Sequence, residues 1–169
     1  MFFVRFDFVD GPLRITTSRE GLFYVGLLLS LVFRLGYDDG PECISNWSPY
    51  GEYCYYVNNQ VAYTYEQARV NCLNEYATLT SVLSTEEQAF HKELIATYYV
   101  ELWIGLNDIE TGDTWIWEDG SNYSFSAWNP GEPNGGDTEN CTHLFPSGTW
   151  NDKPCTATIG YICKRPKGK

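Results

Sequence analysis

The sequence predicts an α+β fold, and three observations predict it. Two capped stretches of helical periodicity come early, short apolar runs of strand length come late, and six cysteines are scattered between residues 43 and 163. Helices first and strands later is the pattern of a domain whose helices pack to one side of antiparallel strands. An aromatic content of 17% excludes a disordered chain and supplies apolar bulk for a core. The 169 residues suit one domain with a short appendage.

The appendage comes first. Residues 22–33 (LFYVGLLLSLVF) form a nearly continuous apolar run preceded by Arg14 and Arg19. The run is shorter than the roughly 20 residues a bilayer span needs, and its length suits the apolar core of a secretory signal. Two features depart from that pattern: the preceding stretch is long and carries Phe2, Phe3, Phe6 and Phe8, and no small-x-small site follows Phe33. Residues 1–36 are read as a leader, a signal peptide that makes the protein secreted. The alternative is a signal-anchor that holds a type II membrane protein with its domain outside the cell. The turn-forming stretch 37–41 (YDDGP) opens the domain, 37–169.

Within the domain, residues 53–57 (YCYYV) are β-branched and aromatic and predict a first strand. Thr64 and Gln67 form a capping box, and Tyr65, Ala68 and Cys72 follow at helical spacing, which predicts a helix over 65–75. Ser84 and Glu87 form a second box before Ala89, Phe90, Leu94, Ile95 and Tyr98, which predicts a helix over 85–98. Its acids Glu86, Glu87 and Glu93 read as a solvated face, and His91 reads as surface or half-buried. Strands are predicted at 102–106 (LWIGL), 115–117 (WIW), near 141–145 with a structural His143, and at 159–164. Trp103, Trp115, Trp117 and Trp150 read as packing residues. The stretch 118–140 is rich in Gly and Pro and poor in periodicity, and loops that long are usually functional. Trp128 and Phe125 are the residues that pin it.

Charge and cysteines narrow the function classes. A formal net charge of −11 repels phosphate backbones, so nucleic acid is not the expected partner. No CxxC pair is present, which argues against zinc knuckles and thioredoxin-type redox sites. An even set of scattered cysteines points to disulfides and an oxidising compartment, but six cysteines allow fifteen pairings and spacing does not choose among them. Asn-x-Ser/Thr triplets stand at Asn46, Asn122 and Asn140. Asn46 and Asn122 are the candidate glycosylation sites, since Cys141 sits inside the third triplet.

The chemistry sits beside the last cysteines. Glu132-Pro133-Asn134, Glu139 and Asn151-Asp152 offer carboxylate and amide oxygens and no His or Cys. Hard oxygens suit calcium, which takes roughly six to eight of them, and disfavour zinc or copper. A cis peptide before Pro133 would fold the backbone and aim both flanking donors at one point. Acid–amide pairs also suit a sugar. A carboxylate accepts from a hydroxyl, while an amide coordinates by its oxygen and donates by its NH2. Glu132 with Asn134 is one such pair, and Glu139 with Asn151 is the other. Glu132 and Glu139 form the one carboxylate pair that could suggest glycoside hydrolysis. A carboxylate that holds calcium is a poor general acid, and no nucleophile–base constellation is evident, so the chain is not expected to be an enzyme.

The ordered set Cys54-Tyr55, Ala68 to Cys72, Trp103-Ile104-Gly105-Leu106, Trp115, Trp117, Trp128-Asn129, Glu132-Pro133-Asn134, Glu139-Asn140-Cys141, Trp150-Asn151-Asp152 and Cys163 resembles a C-type lectin domain. The resemblance implies two helices packed on small antiparallel sheets with a long calcium-binding loop. It implies bridges Cys72–Cys163 and Cys141–Cys155, and Cys43–Cys54 as the extra bridge of the long form. The family's calcium and sugar site maps onto Glu132, Asn134, Glu139, Asn151 and Asp152. Glu-Pro-Asn implies mannose-type sugars, namely mannose, fucose and N-acetylglucosamine, carried by glycans on cell surfaces or glycoproteins in innate recognition or adhesion. A second calcium site keeps Asp108 but has Gly112 and Gly135 where acids would help and Asn140 in place of Asp, which implies a weak or empty site unless Glu110 or Asp137 compensates. Gly135 and Gly136 leave no side chain to pack on a sugar, so single-site affinity is expected to be weak. Avidity then calls for several sites acting together, as in a homo-oligomer. A module of the same fold that binds a protein or another non-sugar ligand is the alternative.

Overall fold

The structure is a computed structural model that describes residues 5–7, 14–16, 43–112 and 114–168. The chain divides into two compact units, 1–39 and 40–169. In the first, β1 (Arg5–Asp7) pairs antiparallel with β2 (Arg14–Thr16). The apolar run at 22–33 and the boundary read at 37 lie outside the described residues.

The second unit runs β3 (Ser48–Tyr50), β4 (Tyr53–Tyr63), α1 (Tyr65–Asn74), β5 (Thr78–Leu79), α2 (Thr85–Ile95), β6 (Leu102–Asn107) and β7 (Ile116–Trp117). A 3-10 turn (Gly136–Thr138), β8 (Cys141–Leu144), β9 (Trp150–Lys153) and β10 (Ile159–Pro166) complete it. The strands form one sheet in the order β3-β4-β10-β6-β8-β9, with β5 also on β10 and β7 also on β6. Every pair is antiparallel except β6 with β10, where Leu102 faces Gly160 and Trp103 faces Tyr161. The α+β class is as expected, and this single parallel pairing joins the expected small sheets into one.

Local chemistry sets the helix starts. Thr64 Oγ1 accepts from the Gln67 N–H at 3.4 Å while Gln67 Oε1 accepts from the Thr64 N–H at 3.0 Å, a complete capping box. At α2 the box is half made. Ser84 Oγ accepts from the Glu87 N–H at 3.1 Å, but the Glu87 carboxylate accepts from the Leu83 N–H at 2.8 Å, the Tyr55 hydroxyl at 2.6 Å and Lys164 Nζ at 2.7 Å. Glu87 is buried, which corrects the reading of α2's acids as a solvated face; Glu86 and Glu93 do face solvent. His91 is also buried rather than surface. Its Nδ1 meets the Glu87 carbonyl at 2.8 Å and its Nε2 the Thr80 hydroxyl at 3.0 Å, and burial pushes its pKa down to about 4, so the ring is neutral. The helix stops at Ile95, short of the expected 98, where Tyr98 N–H bonds to Ile95 O and Tyr99 takes φ +51°.

The bridges are Cys43–Cys54, Cys72–Cys163 and Cys141–Cys155, the pairing the resemblance implied. The Cys72–Cys163 bridge lies in a core of Tyr65, Ala68, Leu79 and Trp103. A second core of Ile104, Leu106, Trp117, Leu144 and Trp150 underlies the long loop. Gly105 lets β6 approach the β5 backbone closely: a Cβ there would stand 2.8 Å from the Leu79 carbonyl oxygen.

Candidate functional site

The segment from Glu118 to Asn140 is a loop apart from its 3-10 turn, and its apolar underside explains how it is held. Trp128 packs on Trp115 at 4.9 Å and on Trp150 at 5.9 Å between ring centroids, and Phe125 meets Trp150 at 5.8 Å. Trp150 is fully buried. Backbone bonds then fasten the loop along β9. Trp150 N–H donates to Ala127 O at 2.9 Å, and Asn129 N–H to Trp150 O at 2.8 Å. This pinning lets an irregular stretch present side chains from a fixed backbone.

At the loop's tip the Glu132–Pro133 peptide is cis, the isomer expected from the Glu-Pro-Asn spacing. Beyond it the backbone turns onto Asp152. Asn134 N–H donates to Asp152 Oδ2 at 3.0 Å and Oδ1 at 3.2 Å, and Gly135 N–H donates to Oδ2 at 2.7 Å. Asp152 is 1% exposed. It therefore clamps the loop through main-chain amides, a role its sequence position did not disclose.

The carboxylates crowd one another. Burial first, then the neighbouring Asp152 charge and contact, then Glu139, push the Glu132 pKa above its ordinary value. Glu132 Oε2 is buried with no hydrogen-bond partner. A divalent cation would relieve the repulsion among these carboxylates, and the donor set around them is all oxygen. No group of three or more His, Cys, Asp or Glu among the described residues is gathered tightly enough to hold a metal alone. A cation here would also need the amide oxygens of Asn134 and Asn151.

The two amides differ in freedom. Asn151, on β9 opposite His143 of β8, points Nδ2 at His143 Nε2 at 3.1 Å and at the Asp152 carbonyl. His143 is fully buried and structural as expected, and burial lowers its pKa to about 4, so the neutral ring can accept through Nε2. Both Asn151 Nδ2 hydrogens thus have protein partners. Asn134 is exposed. The structure therefore sets Asp152 against the Asn134 and Gly135 backbone, leaves Glu132 near enough to feel both Asp152 and Glu139, and turns the Asn151 amide nitrogen toward His143.

Asp108, which the resemblance matched to a second calcium site, is buried, and its N–H donates to Asn140 O at 3.2 Å. A Cβ at Gly135 would stand 2.2 Å from Glu139 Cβ, so an acid there would force Glu139 to shift. Asn46 and Asn122 are both exposed.

Comparison with known proteins shows the family and the fold. The family described as "Lectin C-type domain" matches residues 61–165. The chain is 35% identical over 127 residues to human C-type mannose receptor 2, covering 73% of this chain and 8% of that receptor. It is 34% identical over 146 residues to a C-type lectin mannose-binding isoform of Notechis scutatus scutatus, covering 81% and 92%. Among solved structures it superposes on the cow C-type carbohydrate-recognition domain of CD23, determined in the presence of a GlcNAc2Man3 oligosaccharide, with TM-score 0.70 and 36% identity over 75% and 98% of the chains. A calcium-independent type II antifreeze protein superposes with TM-score 0.69 and 28% identity over 77% and 98%.

Proposed function

This chain belongs to the lectin C-type domain family, and from that premise we propose that its loop site binds mannose-type sugars through a calcium ion. The family is one of binding modules, so the chain is not an enzyme. The observation that carries the proposal is the crowding of the Glu132 carboxylate by Asp152 and Glu139 where Asp152 takes the Asn134 and Gly135 amides. Glu132, Asn134, Glu139, Asn151 and Asp152 would hold the ion, which when bound would supply coordination positions for two vicinal hydroxyls. The chain's own part is orientation. Glu132 and Glu139 carboxylates accept from the hydroxyl O–H groups, and the exposed Asn134 Nδ2 donates to a hydroxyl oxygen. The site is extracellular in this reading, which the three disulfides support. Among the described residues no helix is long and apolar enough to cross a membrane.

The refolded 37–169 domain is expected to be retained on mannose-agarose in calcium and released by EDTA or free mannose. Absence of retention, by a folded domain displayed multivalently to supply avidity, would contradict the proposal. Similarity to the calcium-independent antifreeze protein favours one second reading, a non-sugar ligand on the same fold, for which mannose would not compete.

Sugar choice follows from donor order. Glu132→Gln with Asn134→Asp exchanges acceptor and donor at one hydroxyl, so preference is expected to move from mannose toward galactose on a glycan array. Unchanged selectivity would rule out this pair as the discriminator.

A further inference from the structure

A cavity of about 620 Å³ opens between the turn before β3, α1 and the β4–β10 pair, and it uses none of the residues of the loop site. Its walls include Asn46, Trp47, Tyr56, Tyr63, Asn71 and Tyr161. The volume lies within the range of small-ligand pockets, roughly 300–1,000 Å³. The lining is aromatic rings and amides. Trp47 and Tyr56 are tilted together at 5.5 Å, Tyr63 and Tyr161 meet edge-on at 5.3 Å, and the Tyr161 hydroxyl accepts from Asn58 Nδ2 at 3.2 Å. Ring faces receive the C–H surface of a sugar, and amides and phenol hydroxyls match its hydroxyl and acetamido groups. An anion would want a cation here, but the nearby Arg165 guanidinium lies over the Trp47 ring at 4.4 Å and donates to Glu75 O at 3.1 Å.

The wall also carries an attachment point. Asn46-Trp47-Ser48 is an Asn-x-Ser triplet, and Asn46 is exposed on the same turn that lines the cavity. That turn is fixed: Cys43 is bridged to Cys54, and Trp47 N–H donates to Ile44 O at 3.1 Å. Asn46 itself has φ +77°, a left-handed conformation that asparagine tolerates better than most residues.

We propose that Asn46 carries an N-linked glycan whose first N-acetylglucosamine ring seats in this cavity against the tyrosine rings, so that the modification completes the surface of the fold. The inference rests on the extracellular reading and not on the calcium site.

The test uses the 169-residue chain, carried into the secretory pathway of cultured animal cells by an added signal and grown with a mannosidase inhibitor. Endoglycosidase H then trims each glycan to one N-acetylglucosamine. The control is Ser48→Ala, which removes the triplet and leaves the Asn46 turn intact. Sugars at other asparagines are common to both proteins. Mass spectrometry is expected to find a single sugar on the Asn46 peptide. NMR is expected to show contacts from its N-acetyl methyl to the rings of Tyr56 or Tyr63, and Tm is expected to exceed the control by about 2–4 °C. The contact decides. A bare Asn46, or a sugar there without ring contacts, overturns the proposal, even if the control fails to fold.

Discussion

Lys164→Met is expected to lower the free energy of unfolding by about 3–5 kcal/mol, measured by urea denaturation at neutral pH. Lys164 is 4% exposed and donates from Nζ to Glu87 Oε1 at 2.7 Å and to Ser81 Oγ at 3.0 Å. Without it the Glu87 carboxylate keeps only the Tyr55 hydroxyl and the Leu83 N–H, and its charge is buried with no counter-ion. The cost belongs to the stranded charge rather than to the pair. The double variant Glu87→Leu with Lys164→Met is therefore expected to recover most of the loss, because an apolar pair of similar volume replaces an ion pair at little net cost. Acid gives an independent check. Burial alone would raise the Glu87 pKa, but the Lys164 and Tyr55 hydrogen bonds outweigh it, and the folded value lies below the ordinary one. The stabilisation from Glu87 is then present above the unfolded carboxylate pKa of roughly 4.3 and is lost as pH falls through the folded value. Lys164→Met should flatten that acid dependence. A variant within about 1 kcal/mol of the parent would show that Glu87 is relieved by solvent instead.

That pair also marks where sequence reasoning stops. The Thr64–Gln67 box and the Ser84 half of the second one were legible because a cap acts across three residues. The pattern of Glu-Pro-Asn, Glu139 and Asn151-Asp152 was legible because donor type and spacing are local. Glu87 and Lys164 are 77 positions apart, so Glu87 looked like one more surface acid on an amphipathic helix. Pairing across a long stretch of sequence also hid the end of β4. Asn58, Asn59 and Gln60 are poor strand formers, yet β4 runs to Tyr63 because β10 pairs with it from Pro166 to Ile159 across a register shift near Tyr161. β9 was read for its donors and not as a strand, though Trp150 between two bonded backbones is what carries Asn151 and Asp152 to the site.

Asp152→Ala is expected to abolish retention on mannose-agarose, on the order of a hundredfold loss, and to lower stability by about 1–3 kcal/mol. Two roles meet in this carboxylate. It accepts main-chain amides from Asn134 and Gly135, which fixes the loop next to the cis peptide, and it is one of the three acids proposed to hold calcium. Removing it leaves both amides without their acceptor and takes a negative charge from the site. Asp152→Asn separates the roles. Its side-chain oxygen can still accept from the loop, so thermal unfolding should stay within about 1 kcal/mol of the parent. It cannot supply the charge, so calcium affinity by titration calorimetry and retention on mannose should still fall by tenfold or more, on the order expected for a lost oxygen ligand. If Asp152→Asn binds calcium and mannose as the parent does, Asp152 is a loop clamp only, and the cation's acid ligands reduce to Glu132 and Glu139. If it loses both while remaining folded, the clamp and the ligand are the same group, and the loop's shape and its metal are coupled through a single side chain.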